Sequence, residues 1–182
     1  MLWLIFASGF TSYSPDERDI YGQVIRDFVD KGMHENGSNG RPATLLIRKR
    51  PANFDVNRLQ QDTGAFSRLR SAYRQLDLAT FHTLLEKNQA NPNSEAIEIQ
   101  GVQVVVIDSD IQLNQEASFS MYPDWNGQIL EFSPIGFNDE HTQTLLYVGF
   151  EWAPIAGGGA YFIYEKKGRH WKKKKMIPVW AA

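Results

Sequence analysis

The chain of 182 residues contains no cysteine. This absence excludes disulfide scaffolds, thiol nucleophiles, cysteine-ligated zinc and iron–sulfur clusters. It does not identify a compartment, because oxidising and reducing environments both tolerate proteins without cysteine. The sequence also lacks an apolar run of about 20 residues, the length that spans a bilayer. We therefore expect no transmembrane segment, and no motif in the chain predicts a cofactor.

The composition is that of a globular protein rather than a disordered one. Hydrophobic residues make up 42% of the chain and charged residues 22%, with a formal net charge of −2, so burial can offset the entropy of ordering. The aromatic share of 13% favours a sheet-rich core, since aromatic side chains are enriched in strands. The length suits one domain, which we assign to residues 14–182.

Residues 1–13 form a separate apolar segment before this domain. A run of large apolar residues leads into Ala7, Ser8 and Gly9, as a secretory signal leads into its cleavage site. The first basic residue is Arg18, so the positive region of a complete signal is missing. The sequence leaves two interpretations, a truncated signal or an apolar arm packed on the core.

The first helix has both a start signal and an amphipathic pattern. Ser14 and Glu17 form a capping box, and Pro15 suits the first helical position. Two adjacent apolar rows then predict a buried face, made of Ile20, Val24 and Phe28 in one row and Tyr21, Ile25 and Val29 in the other. We expect this helix to end near residue 31 or 32.

The rest of the pattern predicts an α+β fold, with N-terminal amphipathic helices packed on one face of a C-terminal curved antiparallel β-sheet. Residues 44–48 read as a strand and residues 55–90 as a pair of helices, with Asp77 as a cap between them. The segment 95–108 is rich in β-branched residues. Four further strands are expected at 128–137, 143–152, 160–165 and 170–180. Their short connections favour an antiparallel meander of about five strands.

Two glycine-containing segments are interpreted as connections between these strands. Asn126-Gly127 is a dipeptide typical of hairpin turns. The cluster Gly157–Gly159 could cradle a phosphate only if a helix followed it. A strand follows instead, so we predict a flexible inter-strand loop.

The most unusual segment, residues 166–175, is called here the basic segment. It holds seven of the 19 basic residues and no acidic one, so the rest of the chain has 12 basic residues against 21 acidic. Its candidate anion-binding residues are Lys166, Lys167, Arg169, Trp171, Lys172, Lys173, Lys174 and Lys175. Such a cluster can bind nucleic acid or an acidic surface, with Trp171 stacking on a base.

The composition of the basic segment favours a simpler interpretation, a solvated hairpin that turns at Gly168. Four consecutive lysines complicate this interpretation, because strand side chains alternate and two lysines would then face the core. Either the strand overhangs the sheet, or the lysine stems run along apolar surface to the rim.

No residue pattern identifies a catalytic or metal centre. Asp108 and Asp110 have the first spacing of a calcium loop, but Gln112 and Leu113 break the template. An acid–base pair of His141 with Glu140 or Asp139 is conceivable, but ordinary turn chemistry explains these residues better. The four histidines, His34, His82, His141 and His170, show no metal-ligand spacing.

The C-terminal third resembles a group of uncharacterised bacterial proteins, many of which carry secretion signals. The resemblance rests on Ser133–Asn138, Leu146–Gly149, Gly157–Tyr161, Tyr164–Trp171 and Trp180. It implies a bacterial, extracytoplasmic protein and no particular activity. Related sequences carry cysteines in the glycine-rich region, where this chain has Glu151–Ile155, so no disulfide role transfers.

These observations favour a non-enzymatic, extracytoplasmic binding or interaction protein. One alternative is a protein that binds an anionic partner, nucleic acid or an acidic surface, through the basic segment. A second alternative is a small-ligand binder or an enzyme, with its site in a pocket between sheet and helices.

Overall fold

The computed structural model describes residues 13–36, 43–48, 58–89, 99–100, 102–107, 125–152 and 156–181. The structural statements that follow refer to these residues. The apolar segment 1–12 and the acidic pair at 108 and 110 lie outside them. So do residues 153–155 of the glycine-rich region.

The fold is α+β, as the sequence predicts. The helices are α1 (Pro15–Asn36), α2 (Ala65–Ala72) and α3 (Leu78–Gln89), and a helical turn at 58–61 precedes α2. The strands are β1 (Ala43–Arg48), β2 (Val102–Ile107), β3 (Trp125–Phe132), β4 (Gly136–Phe137), β5 (Gln143–Trp152), β6 (Ala156–Lys167) and β7 (His170–Ala181). None of the described helices combines the length and hydropathy needed to cross a membrane.

The seven strands form one mixed sheet in the order β2-β1-β3-β5-β6-β7, with β4 paired to β5. The prediction of antiparallel pairing is correct for β3, β4, β5, β6 and β7 and wrong for β1 and β2. Strand β1 runs parallel to both β2 and β3. The long segments that separate β1 from its partners in the sequence allow a parallel crossover, which short hairpin connections do not.

Helices cover both faces of the sheet, which corrects the expectation of a single covered face. Leu146 and Val148 of β5 belong to the core cluster beneath α1. Leu145 and Tyr147 belong to a second cluster beneath α2 and α3. Because successive side chains of a strand point to opposite faces, α1 lies on one side of the sheet and the helical pair on the other.

Helix α1 begins as its capping box predicts. The Ser14 backbone N–H donates to Glu17 Oε2 at 2.9 Å, and the Glu17 N–H donates to Ser14 Oγ at 3.2 Å. All six apolar residues of the two predicted rows are buried, so the predicted face is confirmed. The helix extends to Asn36, a few residues beyond the predicted end.

The glycine cluster lies inside strand β6 and is buried, so the prediction of a flexible loop is wrong. A Cβ atom on Gly158 would stand 2.6 Å from Phe150 Cζ, and one on Gly159 would overlap the Tyr147 hydroxyl. The glycines leave room for aromatic side chains to lie across the strand. Asn126 and Gly127 likewise lie inside β3 and form no hairpin turn.

Candidate functional site

Strands β6 and β7 form the predicted hairpin, and the basic segment spans its turn. The turn is at Gly168, whose φ of +64° lies in the left-handed region that glycine adopts without a steric penalty. Strand β7 is at one end of the sheet order. The basic segment therefore lies at an edge of the described sheet.

A β-bulge in β7 explains how four consecutive lysines can all avoid the core. Lys173 pairs with Tyr164 and Lys175 pairs with Ile163, the preceding residue of β6. Lys174 is thus an extra residue, and such a residue interrupts the alternation of side chains. All four lysines from residue 172 to 175 are exposed, so none has to enter the core.

Asp16, in the first turn of α1, binds two residues of the basic segment. The Trp171 Nε1–H donates to Asp16 Oδ1 at 3.0 Å, and Lys166 Nζ lies 2.9 Å from Asp16 Oδ2. Burial raises the pKa of Asp16, but hydrogen bonds from Lys166 and Trp171 and the charge of Lys166 outweigh it, so the pKa is lowered. Lys166 and Trp171 are thus engaged in joining the hairpin to α1.

Two more lysines are paired with carboxylates. Lys173 bonds to Asp27 of α1, and Lys174 Nζ lies 3.1 Å from Glu165 Oε2. The Tyr73 hydroxyl donates to Glu165 Oε1 at 2.6 Å. This hydrogen bond is the largest cause that lowers the pKa of Glu165. Burial and the same bond raise the pKa of Tyr73 to about 12.

Four cations of the basic segment remain, and we call them the hairpin tip: Lys167, Arg169, Lys172 and Lys175. They are exposed, and no carboxylate of the described residues lies within ion-pair distance of them. Four cations within nine consecutive residues can attract phosphate, sulfate or carboxylate groups without displacing an internal partner.

The structure does not support Trp171 as a stacking platform. Its side chain is only 3% exposed, and its ring packs edge-on against Phe137 at a centroid distance of 5.8 Å. A base can stack only on an aromatic face that is accessible. Trp171 is therefore not one of the anion-binding residues, because its indole is part of the core.

The acid–base hypothesis for His141 gains no geometric support. His141 is exposed in a turn with a φ of +51°, and its ring stacks on Phe137 at 4.9 Å. Glu140 and Asp139 are also exposed, so all three side chains lie at the surface. In the part of the chain that the structure covers, no three His, Cys, Asp or Glu side chains could hold a metal ion.

A groove between the helical region and the end of β7 corresponds to no pattern in the sequence. It has a volume of about 350 Å³ and is lined by Arg58, Leu59, Asp62, Ala65, Arg68, Leu69, Tyr161, Ile177, Pro178 and Val179. Its two walls are about 100 positions apart in the chain. No local spacing connects them, so only the packing of α2 against β6 and β7 reveals the groove.

No family model, curated protein or solved structure matches this chain. The resemblance of the C-terminal third therefore stays a prediction. The residues that carry it have structural roles: Ser133 Oγ accepts from the Tyr147 N–H at 2.8 Å, and Asn138 Oδ1 accepts from the backbone N–H groups of Thr142 and Gln143 at 2.8 and 2.9 Å.

Proposed function

We propose that the chain is a non-enzymatic interaction domain that binds an anionic partner through the hairpin tip. The observation that supports the proposal is that, within the described part of the chain, the basic segment contains both paired and unpaired cations. Lys166, Lys173 and Lys174 are paired with carboxylates, whereas the four cations of the hairpin tip have no such partner among the described residues.

The partner that suits this surface is a polyanion recognised by charge. Flexible lysine and arginine side chains on an exposed hairpin provide point charges and no shaped pocket, which favours affinity without strict sequence preference. The buried Trp171 ring removes base stacking as a source of preference. An extracytoplasmic location belongs to the proposal as well, and its support is the resemblance of residues 133–180.

Retention on heparin tests this proposal. The test variant replaces the four cations of the hairpin tip with glutamine. The control variant replaces four exposed arginines of the helical region with glutamine: Arg18, Arg26, Arg70 and Arg74. Both variants lose the same charge, so a difference between them reports position rather than net charge.

We expect the control variant to elute at nearly the same salt concentration as the wild-type protein. The test variant should elute at a clearly lower salt concentration. On duplex DNA, the slope of log K against log salt should become shallower by up to about 3.6 for the test variant, since each of the four lost phosphate contacts contributes about 0.9. Equal elution of the test variant and the wild type would contradict the proposal, as would an equal shift in both variants.

A further inference from the structure

The groove beside α2 has an apolar floor formed by three parts of the fold. Leu69 of α2 and Tyr161 of β6 are buried, and both belong to the core cluster beneath the helical pair. Ile177 of β7 packs against the same cluster. Val179 stands at the mouth with 45% of its surface exposed. The apolar lining therefore continues from the core to solvent.

The rim of the groove is charged. Arg58 and Arg68 bring two guanidinium groups to a lining that contains a single carboxylate, Asp62. Arg68 Nη2 bonds to Asp62 Oδ2, while Asp62 Oδ1 accepts from the Gly64 N–H at 2.9 Å. Because a guanidinium has five N–H donors, this pair leaves donors of Arg68 available, and its side chain is 64% exposed.

We propose that this groove binds an amphipathic carboxylate, with the alkyl chain on the apolar floor and the head group at Arg68. The volume of about 350 Å³ lies in the range of small-ligand sites. At roughly 30 Å³ per non-hydrogen atom, the volume of a water molecule in the liquid, it holds about a dozen such atoms. A saturated ten-carbon fatty acid has this size.

The chemistry of the lining favours this ligand over a cation or a neutral lipid. An alkyl chain on Leu69, Tyr161 and Ile177 removes apolar surface from water on both sides. A carboxylate at Arg68 forms charge-assisted hydrogen bonds, which are stronger than neutral ones. A cationic head group would meet the Arg68 guanidinium instead. The groove and the hairpin tip share no residue, so this proposal goes beyond the anionic-partner function and does not depend on it.

Titration of the ¹⁵N-labelled protein with sodium decanoate, below its micelle concentration, tests the groove. We expect saturable shifts of the backbone amides of Leu69, Tyr161, Ile177 and Val179. Decyltrimethylammonium, which has the same chain and the opposite charge, should bind at least tenfold more weakly. The absence of saturable shifts at these amides, or equal binding of the two amphiphiles, would overturn the proposal.

Matched variants locate the head group and the chain. Arg68→Gln should weaken decanoate binding at least fivefold, whereas Arg70→Gln, on the same helix and outside the groove lining, should change it less than twofold. Val179→Trp should block the mouth and abolish binding. Amide dispersion in the spectra verifies that each variant is folded. Equal effects at residues 68 and 70, or unchanged binding to Val179→Trp, would refute the assignment.

The hairpin-tip variant separates this proposal from the previous one. It should lose heparin retention and bind decanoate within twofold of the wild type. If that variant instead loses decanoate binding, the carboxylate binds at the hairpin and the groove proposal is wrong.

Discussion

Trp171 donates its indole N–H to the carboxylate of Asp16 across 155 positions of the sequence, at 3.0 Å. The bond joins the first turn of α1 to the last hairpin of the sheet. Lys166 binds the same carboxylate and lies 5.2 Å from the centroid of the Trp171 ring. One acidic side chain thus fixes two residues of the basic segment.

Asp16→Asn should lower the free energy of unfolding by about 1 kcal/mol at neutral pH. The substitution weakens two charge-assisted hydrogen bonds, and the partial exposure of the pair limits the loss. Urea denaturation measures the change. Asp139→Asn, at an exposed turn position, removes the same charge and should have almost no effect. An equally large loss of unfolding free energy in Asp139→Asn would show that the effect comes from net charge.

The contribution of Asp16 should also depend on pH. Its pKa is lower in the folded protein than its ordinary value of 3.8, so its contribution is present above the unfolded pKa and is lost as the pH falls through the folded pKa. The stability difference between the wild type and Asp16→Asn should be constant from about pH 6 to 8 and shrink below about pH 4. A difference that persists unchanged at pH 3 would refute the role of the carboxylate charge.

Tyr164→Phe should leave stability unchanged or raise it by up to about 1 kcal/mol. The Tyr164 hydroxyl is buried without a hydrogen-bond partner among the described residues, and removing such a group removes its desolvation penalty. Tyr21→Phe is the matched control, because the Tyr21 hydroxyl donates to the Ser133 carbonyl at 3.0 Å in the core. That variant should lose about 1 kcal/mol. Thermal unfolding of both proteins gives the comparison, and equal losses would show that the Tyr164 hydroxyl is bonded.

Gly136→Ala should destabilise the protein by about 3 kcal/mol, a large value for a single added methyl group. A Cβ atom at this position would stand 2.6 Å from the Leu84 backbone nitrogen and closer still to the Thr80 carbonyl oxygen. Both atoms belong to the backbone of α3, which cannot move aside as a side chain can. Gly149→Ala is the control, since its Cβ would have no neighbour closer than 3.6 Å. Similar unfolding midpoints of the two variants would contradict the close approach of α3 to β4.

Local sequence signals predict the elements of this fold more fully than their arrangement. The capping box at Ser14, the buried face of α1 and the turn at Gly168 each depend on neighbouring residues, and the structure confirms all three. The parallel pairing of β1 depends on strands far along the chain, and no periodicity of residues 43–48 specifies it.

The same limit applies to the candidate site. Consecutive lysines identify the basic segment, but the sequence does not show which of them are paired. Asp16 and Asp27 lie on α1, about 150 positions before Lys166 and Lys173, and only the docking of α1 on the sheet brings them together. The sequence predicts a loop at the glycine cluster because glycine-rich segments are typical of loops. In the structure, Gly158 and Gly159 lie in a strand and accommodate Phe150 and Tyr147.

The position of β1 between β2 and β3 has a consequence for how the chain folds. Both partners of β1 follow it in the sequence by more than 50 residues, and closing such long loops delays folding. On the ribosome, the apolar side chain of Leu46 must wait for Trp125 and Ile129, which belong to the same buried cluster, to be synthesised before the sheet can bury it. The interval before β3 emerges is therefore a stage at which the exposed apolar surface of β1 can promote aggregation.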